Sequence, residues 1–274
     1  MSFKAVSWTV ISALGLALIL LFNYWASYQP LSTLAYAGIA VALCGLANLA
    51  LPFRFLGIRK RYAGALIFAG GVALAFVALL WPAPTIRVAQ HNKLLDDVMP
   101  EYQFYERHSL RIHAKPEQVM QAVRESRFRD MKSVATLMKI RAAALRIHST
   151  ADSLQDRQIL EAFSASGYAL GGNGHEIVMC GGVNVPAKRP LQPRTLQECA
   201  DYRESGALKV AFDFRAEDAG GGWSTVSTET RVVALDDSTR RGMGRYWRLI
   251  VPGSGLLRRQ WLDSIKQRTE STQS

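Results

Sequence analysis

Charge is scarce in the N-terminal region of this sequence. No charged residue occurs from Ala5 to Phe53, and no Asp or Glu occurs before Pro82. The net charge of +11 therefore divides into +5 for residues 1–82 and +6 for the remainder, where 28 Lys and Arg accompany 22 Asp and Glu. A water-exposed surface rarely lacks charge over such a length, so this region is not expected to fold as a soluble domain.

Residues 1–82 contain three uncharged runs that are long enough to cross a bilayer. A membrane-spanning helix needs about 20 mostly apolar residues, and the runs cover about residues 6–25, 31–53 and 62–81. The first run is too long for a signal peptide, and no small-residue cleavage site follows it. A buried helical hairpin in a soluble protein is the general alternative, but three successive charge-free spans rarely occur in a soluble core. The sequence predicts three transmembrane helices within residues 1–82.

Basic residues set the predicted orientation. The loop from Arg54 to Arg61 has four positive charges, whereas the loop from Ala26 to Pro30 has none. The positive-inside rule places the basic loop and the N-terminus in the cytoplasm. The chain after Trp81 then lies on the opposite face, which is the periplasm if the protein is in a bacterial inner membrane. A lipid bilayer is the expected partner, and nucleic acid is not expected.

Cysteine is also scarce, with three residues in 274. Cys44 lies within a predicted span. Cys180 and Cys199 are the two thiols of the remaining chain, and an even pair in an oxidising compartment favours a disulfide. Two buried free thiols are the alternative, because sequence does not supply the distance that a bridge requires.

The sequence also lacks the motifs of common catalytic, metal and cofactor sites. His175-Glu176 has no second histidine at the spacing of a zinc protease, and no C-x-x-C occurs. No phosphate loop, dinucleotide fingerprint or nucleophile elbow is present. We therefore predict no metal, no cofactor and no catalytic residue from motifs, and the pattern favours a protein that is not an enzyme.

The part after the spans has the pattern of a mixed α+β domain. Residues 83–100 are interpreted as a juxtamembrane connector, and residues 101–274 as one domain. Predicted strands cover residues 102–113, 168–170, 175–185, 207–215 and 223–235. Predicted helices begin near residue 116 and cover residues 132–145, 154–164 and about 236–269. Residues 186–200, with three prolines, are predicted to form a loop.

The last helix is amphipathic. Met243, Trp247, Ile250, Ser254, Leu257, Trp261 and Ile265 recur at three- and four-residue steps. Its opposite face is basic, with Arg240, Arg241, Arg245, Arg248, Arg258, Arg259, Lys266 and Arg268. These cations are expected to face outward, as a solvated surface or toward anionic lipid. Pro252 is expected to bend or break the helix.

The order of these elements resembles the START-like or SRPBCC helix-grip superfamily. The resemblance covers roughly residues 102–270 and is greatest at 175–182 (HEIVMCGG), 227–237 (STETRVVALDD) and 245–268 (RYWRLIVPGSGLLRRQWLDSIKQR). It implies a curved antiparallel sheet around the long C-terminal helix, with a cavity between them. Members of the superfamily are commonly free-standing, whereas this domain follows predicted spans.

The resemblance implies a hydrophobic or amphipathic ligand, such as a lipid, under the C-terminal helix. The candidate cavity residues on that helix are Tyr246, Trp247, Ile250, Ser254, Leu257 and Trp261. Glu176, Glu229 and Arg231 are polar candidates for the same cavity, although strand alternation also permits a surface cross-strand set. A cyclase- or hydratase-like enzyme, which would need a convergent acid–base pair, and an assembly protein with a filled cavity are the two alternatives.

Overall fold

A computed structural model describes residues 29–50, 61–146 and 151–271 of the chain. These residues group into two compact units. The hairpin unit contains the described residues up to Pro82 together with Gly244–Pro252, and the sheet unit contains Ala83–Met243 and the described residues from Gly253 onward. The predicted span at residues 6–25 and most of the basic loop lie outside the described residues.

The hairpin unit contains two long apolar helices, α1 (Pro30–Ala50) and α2 (Arg61–Leu80). Both are long and apolar enough to cross a membrane, by length and composition. They coincide with the second and third predicted spans. Leu43, Leu66 and Phe76 are more than half exposed on their outer surfaces, and large apolar side chains on the outside are typical of helices that face lipid.

The two helices pack closely because glycine lies where their backbones meet. A Cβ atom added to Gly71 would lie 2.3 Å from the backbone nitrogen of Ala42, and one added to Gly45 would lie 2.3 Å from that of Phe68. Only hydrogen fits at such distances. Stripes of small residues allow this approach in membranes, where packing rather than the hydrophobic effect drives helix association.

The segment Gly244–Pro252 takes part in three hydrogen bonds within the hairpin unit. Arg248 donates hydrogen bonds to the carbonyl oxygens of Leu79 and Trp81, and Tyr36 donates one to the carbonyl oxygen of Leu249 at 2.6 Å. The last carbonyls of a helix lack internal partners, and a cation at that end is favourable. The prediction that Arg248 faces outward is therefore wrong: it is buried at the end of α2.

The sheet unit has eight strands and seven helices in its described residues. The strands are β1 (Ile86–Arg87), β2 (Glu101–Tyr102), β3 (Phe104–Ile112), β4 (Ala169–Gly172), β5 (Glu176–Asn184), β6 (Arg189–Leu191), β7 (Ala207–Gly220) and β8 (Trp223–Ala234). The helices are α3 (Leu94–Val98), α4 (Pro116–Glu125), α5 (Val134–Leu145), α6 (Ala151–Leu154), α7 (Ile159–Ala165), α8 (Leu196–Asp201) and α9 (Asp237–Ser271), the last of which also contributes to the hairpin unit.

The main sheet is antiparallel, in the order β3-β8-β7-β5-β4, with β6 also paired to β5. The prediction of a mixed α+β unit with an antiparallel sheet and a long C-terminal helix is confirmed. Two details differ. Residues 186–200 contain β6 and α8 rather than only a loop, and α9 continues through Pro252 without a break.

One face of the sheet, here called the helix face, packs against α4, α7 and the C-terminal part of α9. Its core includes Phe212 and Phe214 from β7 and Trp261 and Ile265 from α9. The Phe214 and Trp261 ring centroids lie 4.4 Å apart. Aromatic pairs at such distances add to the stabilisation that burial provides, so this contact fixes α9 on the sheet.

The other face, here called the outer face, is covered by residues 83–103 and α8. Leu95, Val98 and Met99 pack there against Val178 of β5. Residues 83–100 are therefore a packed layer of the fold rather than only a connector. Cys180 on β5 and Cys199 on α8 are joined as a disulfide in this layer. Closing a loop of this length stabilises a fold by about 3 kcal/mol.

Two adjacent glycines test the packing of α1 against α2. Gly71→Ala places a methyl group against the α1 backbone, whereas Gly70 has no atom within 4 Å of an added Cβ. We expect Gly71→Ala to lower stability by about 1–3 kcal/mol and Gly70→Ala to leave it unchanged or slightly raised. Thermal unfolding of the full chain in detergent measures both, and equal effects would contradict the close packing.

Candidate functional site

The nine residues predicted to line one cavity fall into three groups. Tyr246, Trp247 and Ile250 belong to the hairpin unit, in the segment Gly244–Pro252. Ser254, Leu257 and Trp261 belong to the sheet unit, on the part of α9 that packs on the helix face. The third group, Glu176, Glu229 and Arg231, lies on the outer face.

The three charged residues are buried under the layer of residues 83–103. Side chains alternate along a strand, and Val226 of β8 belongs to the helix-face core. Glu229 and Arg231, at odd positions, therefore point to the other side. The prediction that this trio lines a cavity under α9 is wrong, and so is its alternative as a surface set, because each residue is at most 6% exposed.

The outer face has a continuous network of ion pairs. Arg231 donates from Nε to Glu229 at 2.6 Å and from Nη2 to Asp96 at 2.7 Å. Lys93 donates to the other oxygen of Glu229 at 2.8 Å and to Asp213 at 3.2 Å. Each of the five charged groups in this network thus has a partner of opposite sign, which is the condition under which buried charges are tolerated.

The same network holds the short helix α3 at both ends. The Glu176 carboxylate accepts hydrogen bonds from the backbone N–H groups of Leu94 and Leu95, at 2.8 and 3.0 Å. Arg231 donates to the carbonyl oxygen of Met99 at 3.0 Å, just beyond the other end. An acid at the start of a helix and a cation at its end both complement the helix dipole.

Two carboxyl groups of the network have opposite pKa shifts. Burial raises the pKa of Asp213 to about 6, although the charge of Lys93 opposes the change. Burial also acts to raise the pKa of Glu229, but the hydrogen bond from Lys93 and the charge of Arg231 outweigh it and lower the pKa.

A cleft of about 450 Å³ borders this network. Its lining includes Lys93, Tyr102, Tyr105, Arg107 and Arg215. The buried charges of the network are paired with one another, and we therefore infer that the network holds residues 83–103 on the sheet.

The helix face carries a second polar cluster. Glu106 of β3 lies opposite Thr230 of β8, which in turn lies opposite Phe212 of β7. His108 and Thr228 form the next cross-strand pair. Glu106 and His108 are at most 5% exposed, so this cluster is as deeply buried as the network on the outer face.

Hydrogen bonds join part of this cluster to α9. Oε1 of Glu106 lies 2.8 Å from Nε2 of His108, and its Oε2 accepts a hydrogen bond from Ser254 at 2.6 Å. Arg258, one turn after Ser254, places its guanidinium carbon 4.7 Å from the centre of the Phe212 ring. Ser254 therefore contacts Glu106, and Arg258 lies over Phe212. On the sheet, Thr230 lies between Glu106 and Phe212.

Several polar atoms of this cluster are buried without a hydrogen bond to any described residue. They are Oγ1 of Thr228, Oγ1 of Thr230, Nη1 of Arg258 and Nε1 of Trp261. A buried polar group that lacks a partner costs about 1–3 kcal/mol. Four such atoms lie in this one region of the helix face.

Sequence reasoning missed Glu106, His108 and Arg258. In the stretch from Phe104 to Ile112, alternate positions carry Phe104, Glu106, His108, Leu110 and Ile112. The apolar ends of that series already indicated that the two polar members face the core. Arg258 follows Ser254 by four residues, a spacing that puts both on one side of a helix. The prediction that Arg258 faces outward is wrong.

Comparisons with known proteins identify no relative. No protein-family model, no curated protein and no solved structure matches the chain. Among the described residues, no group of three His, Cys, Asp or Glu is placed to hold a metal ion.

The ion network on the outer face predicts a large effect of one neutral substitution. Glu229→Gln keeps the shape of the side chain but leaves Arg231 and Lys93 with one carboxylate partner fewer. We expect a loss of about 3–5 kcal/mol and faster proteolysis within residues 83–100. Glu101→Gln, which removes an exposed pair with Arg87, is the control and should change little. Equal stability of the two variants would contradict the role of the network.

Proposed function

We propose that this protein is a membrane-anchored binding protein whose sheet unit takes an amphipathic ligand between the sheet and α9. The carrying observation is the set of unpartnered polar atoms around Thr228, Thr230, Trp261 and Arg258. A polar group of the ligand would lie there, above Thr230. The resemblance to the START-like helix-grip superfamily supports the same location.

The surroundings of the polar cluster suit the rest of such a ligand. Leu257 packs against the helix-face core, and Phe212, Phe214 and Trp261 belong to it. Binding sites for small molecules are mostly apolar, with a few polar groups that fix the orientation. A ligand with a polar head and an apolar tail matches this division.

Membrane anchoring would keep the binding site close to a ligand that is poorly soluble in water. Helices α1 and α2 would hold the sheet unit beside the bilayer, where a poorly soluble ligand is released and accepted. The basic loop at residues 54–61 is expected on the cytoplasmic side of the membrane. Because α2 then crosses the membrane, we place the sheet unit on the opposite side, which is the periplasm in a bacterial cell. A disulfide between Cys180 and Cys199 is compatible with an oxidising compartment.

The proposal is tested by native mass spectrometry of the full chain, extracted with its lipids in a neutral detergent. We expect a discrete bound amphiphile whose occupancy falls in the double variant Thr228→Val/Thr230→Val. The same variant should unfold at a higher temperature without ligand, because it removes hydroxyls that lack partners. Thr225→Val, on the outer face of the same strand, is the matched control and should retain the ligand.

Two results would contradict the proposal. One is the absence of any bound amphiphile, even after lipid extract is added, which would favour an assembly protein with a filled interior. The other is equal occupancy in the wild type and in the double variant, which would move the ligand away from the helix face.

A second candidate function, an enzyme of the cyclase or hydratase type, is favoured by the buried Glu106–His108 pair. Its two side chains are in hydrogen-bond contact, and such a pair can exchange a proton with a bound substrate. The Glu106 carboxylate also binds Ser254, so it separates the hydroxyl from the imidazole. That order disfavours attack by Ser254 with His108 as its base, and it leaves proton transfer as the chemistry available.

The mass of the ligand distinguishes the two candidates. A hydratase or a dehydrating cyclase would use proton transfer to add one water molecule to the amphiphile or to remove one from it. The mass would change accordingly, and His108→Asn would stop the conversion while the ligand remained bound. A binding protein would return every ligand unchanged in both proteins.

A further inference from the structure

The guanidinium of Arg258 has no carboxylate partner within ion-pair distance among the described residues, and it lies over two aromatic rings. Arginine is always protonated in proteins. Nη1 is buried and donates no hydrogen bond to a described residue, and the group lies 4.7 and 5.5 Å from the ring centres of Phe212 and Trp261. Aromatic faces attract a cation, but they do not supply the hydrogen-bond acceptor that Nη1 requires.

Arg231 on the outer face shows what a structural arginine in this protein contacts. It pairs with Glu229 and Asp96 and donates to a backbone carbonyl. Arg258 has no ion pair among the described residues. On the helix face, the Glu106 carboxylate attracts the Arg258 guanidinium at longer range. The two oxygens of that carboxylate already contact His108 and Ser254. Burial accordingly lowers the pKa of Arg258.

The other unpartnered atoms in the cluster are also donors. Nε1 of Trp261 can only donate, and the hydroxyls of Thr228 and Thr230 can donate or accept. A group that satisfies the whole set must offer several acceptors and a negative charge. A carboxylate or a phosphate does so, and arginine binds both strongly through paired hydrogen bonds. A neutral alcohol or ester would leave the charge uncompensated.

We infer that the ligand of the helix face is an anionic amphiphile whose carboxylate or phosphate group is bound by Arg258, between Ser254 and the Phe212 ring. This inference rests on the proposed function and adds the chemical class of the ligand. Its head group can come from a free fatty acid or from a phospholipid, and the two sources share the oxyanion that Arg258 would recognise.

The test compares three C16 probes that differ only in the head group. The full chain, stripped of lipid in neutral detergent, is titrated with palmitate, hexadecyl phosphate and hexadecanol, and occupancy is measured by native mass spectrometry. Phosphatidylglycerol in a fourth titration separates a phospholipid source from a free fatty acid. We expect palmitate or one of the phosphate probes to bind roughly tenfold or more tightly than hexadecanol.

Substitutions assign that preference to Arg258. Arg258→Met should weaken the preferred anion roughly tenfold or more and leave hexadecanol unchanged, while Arg258→Lys should recover part of the loss. Arg259→Met, the adjacent position on the same helix, makes the same change in net charge and should keep the preference. Thermal unfolding without ligand should be unchanged or higher for Arg258→Met, because no ion pair is lost, whereas Arg231→Met should unfold earlier.

The outcomes separate this inference from the function on which it rests. Equal loss of anion and alcohol binding in Arg258→Met would overturn the inference and assign Arg258 to packing, while binding itself would stand. An anion preference retained in Arg258→Met would overturn it as well. If no probe of either class binds the wild type, the proposed function fails, and the inference fails with it.

Discussion

Both faces of strand β8 are buried from Val226 onward, and this constraint determines where the polar groups of the strand must find partners. Thr228 and Thr230 point toward α9, and Glu229 and Arg231 point toward residues 83–103. On the outer face the sequence supplies complete partners in Lys93, Asp96 and Asp213. On the helix face it supplies Glu106, His108 and Ser254, which contact one another. The hydroxyls of the two threonines and Nη1 of Arg258 are left without a hydrogen-bond partner among the described residues.

This difference separates structural polar groups from candidate functional ones. A buried ion pair that loses one member is strongly destabilising, so the outer network is best understood as the attachment of a covering layer. A buried hydroxyl or guanidinium without a partner lowers stability in the free protein. Such a cost is expected where a ligand, rather than the fold, provides the missing contact.

Much of the architecture could be predicted from the sequence, because apolar periodicity follows burial directly. The spans at residues 31–53 and 62–81 match α1 and α2, and the main strands and α9 lie within a few residues of their predicted positions. The covering layer was missed because Leu95, Val98 and Met99 are too few to form a periodic pattern. Their burial depends on Glu176 and Arg231, which are far away in sequence.

The candidate site was less predictable for a related reason. The sequence shows that polar residues such as Glu176, Glu229 and Arg231 lie on predicted strands. It does not show which face of a strand packs against α9, because tertiary packing determines that. Glu106 and His108 were identifiable from their apolar neighbours at alternate positions. Arg258 was grouped with the basic face of α9, although its side chain lies over the Phe212 and Trp261 rings and its Nη1 is buried. The helix periodicity alone does not give the depth at which α9 packs.

An experimental structure of the full chain, purified with its own lipids, tests the central claim most directly. The account predicts density for an oxygen-rich head group above Thr230, between Ser254 and the Arg258 guanidinium, with an apolar tail along Leu257. Density for ordered water alone at that position, with Arg258 turned toward solvent or paired with a protein carboxylate, would contradict it.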